Sequence, residues 1–167
     1  MSLELFTDEY QVVPGLLPVD LATANNTGKF VSAKNYHTAA ILFIKKAGTN
    51  GEDHVLTLNQ ATTVAGASKK ALVFDRYQYK VAADITTVGI FTRVTNNALS
   101  TLTVAGVTQA MVIIDVPLRQ MDIAGGFDCF SLDVSAPGST AGALGTYFYL
   151  LGEARFDQSI QLTAIAD

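Results

Sequence analysis

The sequence predicts an all-β protein: a single-domain β-sandwich led by an extended N-terminal arm. Three observations predict it. Short runs rich in Val, Ile, Thr, Phe and Tyr recur between Gly, Asn, Asp and Pro clusters, about every ten residues. Convincing amphipathic helical periodicity is absent. The 167 residues, 49% of them hydrophobic, suffice for one real core and leave little room for a second. Among two-sheet architectures a jelly-roll order is expected first and an immunoglobulin-like order second.

Residues 1–28 read as the arm and lead-in, and residues 29–167 as the sandwich domain. In "VVPGLLPVD" Pro14, Gly15 and Pro18 stand among apolar side chains. Proline fixes φ and has no N–H to donate, so this stretch should run extended. Leu3, Leu5, Phe6, Val12, Val13, Leu16 and Leu17 are too apolar for a merely solvated tail. They form the candidate interaction arm, with two destinations open: the surface of a neighbouring molecule, or the edge of the protein's own sandwich.

From Lys29 onward about nine segments read as strands: "KFVS", "TAAILFIKK", "HVLTLNQAT", "ALVFDRYQYKVA", "GIFTRVT", "STLTVA", "QAMVIIDVP", "FDCFSLDVS" and "TYFYLLGEARF". In "MVIIDVPLRQMD", Pro117 would break an interior helix, so a strand ending near Asp115 or Val116 is expected. "TAAILFIKK" and "HVLTLNQ" flank the Gly-containing "AGTNGED" and read as a hairpin.

Charged residues make up only 16% and mean hydropathy is +0.30, so much apolar surface must be hidden in the core or against neighbours. The net charge is −4 and the only adjacent basic pairs are Lys45-Lys46 and Lys69-Lys70. That is no concentrated basic footprint, and nucleic-acid binding is not expected. No apolar run nears the roughly 20 residues of a membrane span. The first residues carry acids where a signal peptide would carry bases. The single cysteine, Cys129, cannot form an intrachain disulfide.

No catalytic, cofactor-binding or metal-binding residues are expected, and no cofactor. In the hairpin arrangement His37 and His54 fall roughly 25 Å apart. Opposite sheets would weaken that argument, but no HxH or HExxH spacing supports a metal either. Cys129 has no base near it in sequence and reads as a buried structural residue. Asp115, Asp122, Asp128 and Asp133 do not match an EF-hand loop and suit turns instead. "GSTAG", residues 138–142, lacks serine at the third position of a nucleophile elbow.

The run Leu17 to Thr62, with "PVDL", "GKFVS" and "KNY" ahead of an apolar strand, resembles small structural proteins of tailed bacteriophages. "FTRVT", "GFDCFSLDVS" and "YFYLLGEARF" extend the likeness over most of the chain. The resemblance is to the capsid decoration, or cement, type. It implies a non-enzymatic virion component, made in the bacterial host cytoplasm and placed on the exterior of the head. The implied partner is the major capsid protein lattice, and the implied state is a homo-oligomer, with a trimer favoured on a three-fold position. Lys29 stands where the family has an acidic residue before the aromatic, which alters local contacts there. Two other classes stay open: a tail, baseplate or head-fibre component, and a carbohydrate-binding module using Tyr77, Tyr79, Tyr147 and Tyr149 as exposed aromatics. The absence of tryptophan counts against the second.

Overall fold

The computed structural model describes residues 6–137 and 142–154. A short helical turn, α1 (Phe6–Glu9), leads into β1 (Tyr10–Asp20), β2 (Asn26–Thr27), β3 (Val31–Ser32), β4 (Tyr36–Lys45) and β5 (His54–Ala61). β6 (Lys70–Ala71) and β7 (Phe74–Val81) follow, then α2 (Ala83–Thr86), β8 (Thr92–Leu99), β9 (Thr101–Val104) and β10 (Ala110–Asp115). β11 (Cys129–Val134) and β12 (Leu144–Ala154) end the described chain. The strands form two antiparallel sheets, so the protein is the all-β sandwich that the alternating segments predict.

Sheet A runs β1-β12-β4-β10-β7-β8. In sheet B, β11 pairs with β5; the short β2 and β3 lie along β11, and β6 and β9 lie along β5. Treat β2 and β3 as one broken strand and set aside β6 to β8 as an insertion. The remaining strands are then first β1, second β2/β3, third β4, fourth β5, fifth β9, sixth β10, seventh β11 and eighth β12. Their spatial orders are 1-8-3-6 in sheet A and 2-7-4-5 in sheet B.

The expected hairpin between the segments around "AGTNGED" does not form: β4 lies in sheet A and β5 in sheet B. Residues 46–53 are long enough to cross the ~10 Å between packed sheets. Backbone bonds hold the crossing in place, from Lys46 N to Leu144 O (2.8 Å) and from Gly48 N to Gly106 O (2.9 Å). Before Pro117, β10 stops at Asp115, as the proline requires.

The stretch read as an arm runs extended and is built into the sandwich. β1 pairs with β12 from Tyr10 opposite Gly152 to Asp20 opposite Leu144, with register shifts after Pro14 and after Leu16. Prolines are accommodated there because β1 is an edge strand.

Alternation along sheet A sends two rows inward. Val13, Tyr149, Ile41 and Ile114 form one, and Tyr147, Phe43 and Val112 the other; all are buried. Sheet B answers with Leu56, Leu58, Phe130, Leu132 and Val134. The two tyrosines span the gap between sheets. Tyr147 Oη donates to Leu132 O at 2.5 Å and Tyr149 Oη to Lys29 O at 2.6 Å. Burial holds both phenols well above their ordinary pKa, so they remain neutral donors. Glycine at position 28 leaves the space that Tyr147 fills: a Cβ there would lie 1.2 Å from the hydroxyl oxygen.

Candidate functional site

The two sheets differ on their outer faces. In sheet B the outward positions of β5, β9 and β11 are Val55, Thr57, Asn59, Ala61, Thr101, Thr103, Cys129, Ser131 and Asp133. Lys69 pairs with Asp133 across this face. Its exposed positions, Thr101 and Thr103, look as those of a water-facing sheet do, while Asn59, Ala61, Cys129 and Ser131 are buried, Ala61 and Cys129 in a cluster with Phe30.

The outward rows of sheet A do not. One row reads Pro14, Phe148, Leu42, Ile113 and Gln78 across five neighbouring strands. The next reads Val12, Leu150, Ala40 and Asp115, and a third reads Thr146, Ile44, Met111 and Lys80. Val12 is 50% exposed, and Leu17, further along β1, is 69% exposed. The strand "TYFYLL" turns its tyrosines inward, where hydrogen bonds satisfy them, and its Phe148 and Leu150 outward. Contiguous apolar surface of this kind is unusual on an open sheet face.

A cleft opens at one end of this face. Arg76 and Asp115 stand on one side and Glu153 on the other, with His37 and Arg119 at the rim. Arg76 Nε lies 3.9 Å from Asp115 Oδ2. Burial pushes the Asp115 carboxyl above its usual value, while Arg76 and Arg93 pull it down. The cleft continues past Thr38 and Leu150 to Phe6 and Tyr10, whose rings stack at 4.9 Å.

The candidate arm residues divide by strand alternation. Val13 is buried and Leu16 packs against the core, whereas Phe6, Val12 and Leu17 are exposed. Leu3 and Leu5 lie outside the described residues. The arm therefore covers the protein's own core with one side and offers the other to the outer face of sheet A.

The remaining residues singled out in the sequence are not brought together. His37 is exposed at the start of β4, and His54 is buried at the start of β5, beside Lys45 at the far end of β4. That separates them by most of a strand, ~26 Å at 3.3 Å per residue. His54 Nδ1 faces Ser135 O at 3.2 Å, and its Nε2 has no hydrogen-bond partner among the described residues. Lys45 is buried too, and its ammonium donates to the carbonyls of Gly106 (2.9 Å), Thr108 (2.7 Å) and Lys46 (3.1 Å).

The four aspartates go to four different bases: Asp115 to Arg76, Asp122 to Lys70, Asp128 to Lys34 and Asp133 to Lys69. Among the described residues no group of three His, Cys, Asp or Glu is placed to hold a metal ion. Cys129 is buried in a small cluster with Phe30 and Ala61, and its thiol lies 3.3 Å from Asp128 Oδ1. Residues 138–141 of "GSTAG" lie outside the described residues. Tyr147 and Tyr149 are core residues, which removes them from the set of exposed aromatics; the structure hides them because their hydroxyls find carbonyl partners inside. No helix among the described residues is long and apolar enough to cross a membrane.

Comparisons with protein-family models, with curated proteins and with solved structures find no match for this chain.

Proposed function

We propose that this chain is a non-enzymatic structural component of a tailed-bacteriophage virion, a capsid decoration protein made in the host cytoplasm and bound on the outside of the head. One structural observation carries the reading: the outer face of sheet A is apolar across four neighbouring strands, where a solvated sheet would be polar. Such a protein works by burying area against neighbours, and binding only the assembled shell stabilises that shell by mass action. The virion half of the reading rests on the sequence resemblance. The strand orders 1-8-3-6 and 2-7-4-5 favour the jelly-roll form of the sandwich, two interlocked Greek keys with a hairpin inserted at one edge.

Phage particles lacking this chain, purified and then mixed with the recombinant protein, test the proposal. Added density on the head exterior by cryo-electron microscopy, with greater resistance of the heads to heat, is the expected result. Copies found only on the tail or baseplate, or none at all, would overturn it.

A carbohydrate-binding reading has its own support in the cleft. Stacked Phe6 and Tyr10 adjoin Asp115, Arg76 and Glu153, a pairing of aromatic surface with polar groups that suits a sugar ring. Retention on a glycan array, lost on Tyr10→Ala, would favour this reading.

A further inference from the structure

We propose that the outer face of sheet A packs against the same face of a second copy of this chain, sheet on sheet, about a two-fold axis running along the strands. The inference rests on reading this face as a protein contact and gives it to a second copy of the chain, so that any binding to a shell would use the edges and loops of the pair.

Size comes first. The outward rows cover at most five strands, ~24 Å wide at about 4.8 Å per strand, and span ~20 Å along them, before Arg93 follows Gln78 on β8. The projected face is on the order of 500 Å², towards the smaller end of what each partner contributes to an interface. Two such faces cover each other without remainder, at the ~10 Å spacing and roughly −30° angle of aligned sandwiches.

Self-complementarity comes second. The midline of sheet A lies between β4 and β10, with β12 and β7 next on either side. A two-fold along that midline sets β4 of one copy over β10 of the other, so Leu42 and Ile44 meet Ile113 and Met111. The same operation sets β7 over β12. Arg76 on β7 and Glu153 on β12 line the same cleft at the same end of the strands. Rotation therefore brings Arg76 of one copy to the side that carries Glu153 of the other, twice by symmetry. Aliphatic side chains then fill most of the centre, with Asp115, paired with Arg76, at one end of it, and opposite charges stand at the rim, as in many interfaces.

The outer face of sheet B is mixed and largely covered, with Asn59, Ala61, Cys129 and Ser131 buried, and offers no comparable surface. A trimer, as the decoration resemblance implies, would need edges or loops in place of this face, because face-to-face packing of two sheets closes at two copies.

Sedimentation equilibrium of the full chain between about 1 and 100 µM, the weak end of the range for interfaces of this size, tests the proposal. The expected mass is that of two copies. Ile113→Asp should give one copy, with an unchanged circular dichroism spectrum. Arg76→Glu, on the exposed rim where folding is not at stake, should weaken dimerisation about tenfold. Combining it with Glu153→Arg should restore dimerisation. A monomer at every concentration, a trimer, a dimer that survives Ile113→Asp in folded form, or a charge swap that restores nothing would each overturn the inference. Should Ile113→Asp fail to fold, the Arg76 and Glu153 series decides alone. A wild-type monomer that still binds particles would sink this inference and spare the virion proposal; a dimer that binds none would do the reverse.

Discussion

Tyr147 on β12 donates its hydroxyl to the carbonyl of Leu132 on β11 at 2.5 Å, joining sheet A to sheet B through the core. The same carbonyl also accepts from the backbone of Gly28 at 3.2 Å. Tyr147→Phe therefore leaves the acceptor partly served and should cost about 1 kcal/mol in urea unfolding. Gly28→Ala is the harsher change, since the added methyl meets the phenol oxygen head on. A loss of about 3 kcal/mol is expected, from strain in a packed core. Equal stability of Gly28→Ala and wild type would show that the tyrosine is not fixed where it stands.

Lys45 shows how a cation is tolerated inside. Its ammonium serves three carbonyls, those of Lys46, Gly106 and Thr108, and burial depresses its pKa while Asp53 opposes that shift. Lys45→Met keeps the stem but strands carbonyl groups in a buried place. A destabilisation of about 2–4 kcal/mol is expected. A variant as stable as wild type in chemical denaturation would contradict it.

His54 should make stability depend on pH. Its Nδ1 faces Ser135 O, which assigns the proton to that nitrogen and leaves Nε2 bare in a buried site. Burial, and Lys45 beside it, hold the folded His54 pKa below its ordinary 6.5; the Ser135 carbonyl, Glu52 and Asp53 pull the other way without reversing the shift. Below about pH 6.5 the unfolded chain takes up this proton and the folded chain does not. Stability is thus full above 6.5 and falls as pH drops from there towards the folded pKa. The melting temperature should drop between pH 7.5 and pH 5.5, and drop less in His54→Gln. Parallel profiles for the two proteins would remove His54 from the account.

The edge strand β1 offers a paired test of which way its side chains face. Val13→Asp buries a carboxylate in the core and should unfold the protein or cost 3 kcal/mol or more, an order-of-magnitude figure for an unpaired buried charge. Val12→Asp and Leu17→Asp, on the exposed side, should change stability by no more than about 0.5 kcal/mol. Deleting residues 1–16 removes most of β1 and should lower the melting temperature. An intact melting temperature after that deletion would mean β1 contributes nothing to the fold.

The strands were legible because each carries its own alternation between turn clusters, which needs no knowledge of partners. β1 was legible as extended chain but not as a strand: Pro14, Gly15 and Pro18 erase strand propensity, and nothing in its own residues names β12 as its partner. The hairpin around "AGTNGED" was misplaced because a Gly-rich turn gives the same local signal whether the chain doubles back or crosses to the other sheet. The candidate face was hidden for a different reason. In "TYFYLL" both alternating sets are large and apolar, so nothing local says that Tyr147 and Tyr149 point in while Phe148 and Leu150 point out. The choice is made by carbonyls distant in sequence, at Leu132 and Lys29.

Pro14 and Pro18 also bear on whether a further strand can add to sheet A. Proline has no N–H to donate, the register shifts around these residues interrupt the ladder with β12, and Gly15 O already accepts from Lys29 N. An incoming strand would find a gapped, uneven row to pair with. Addition of a further strand at β1 is therefore hindered, and sheet A does not extend readily past this edge.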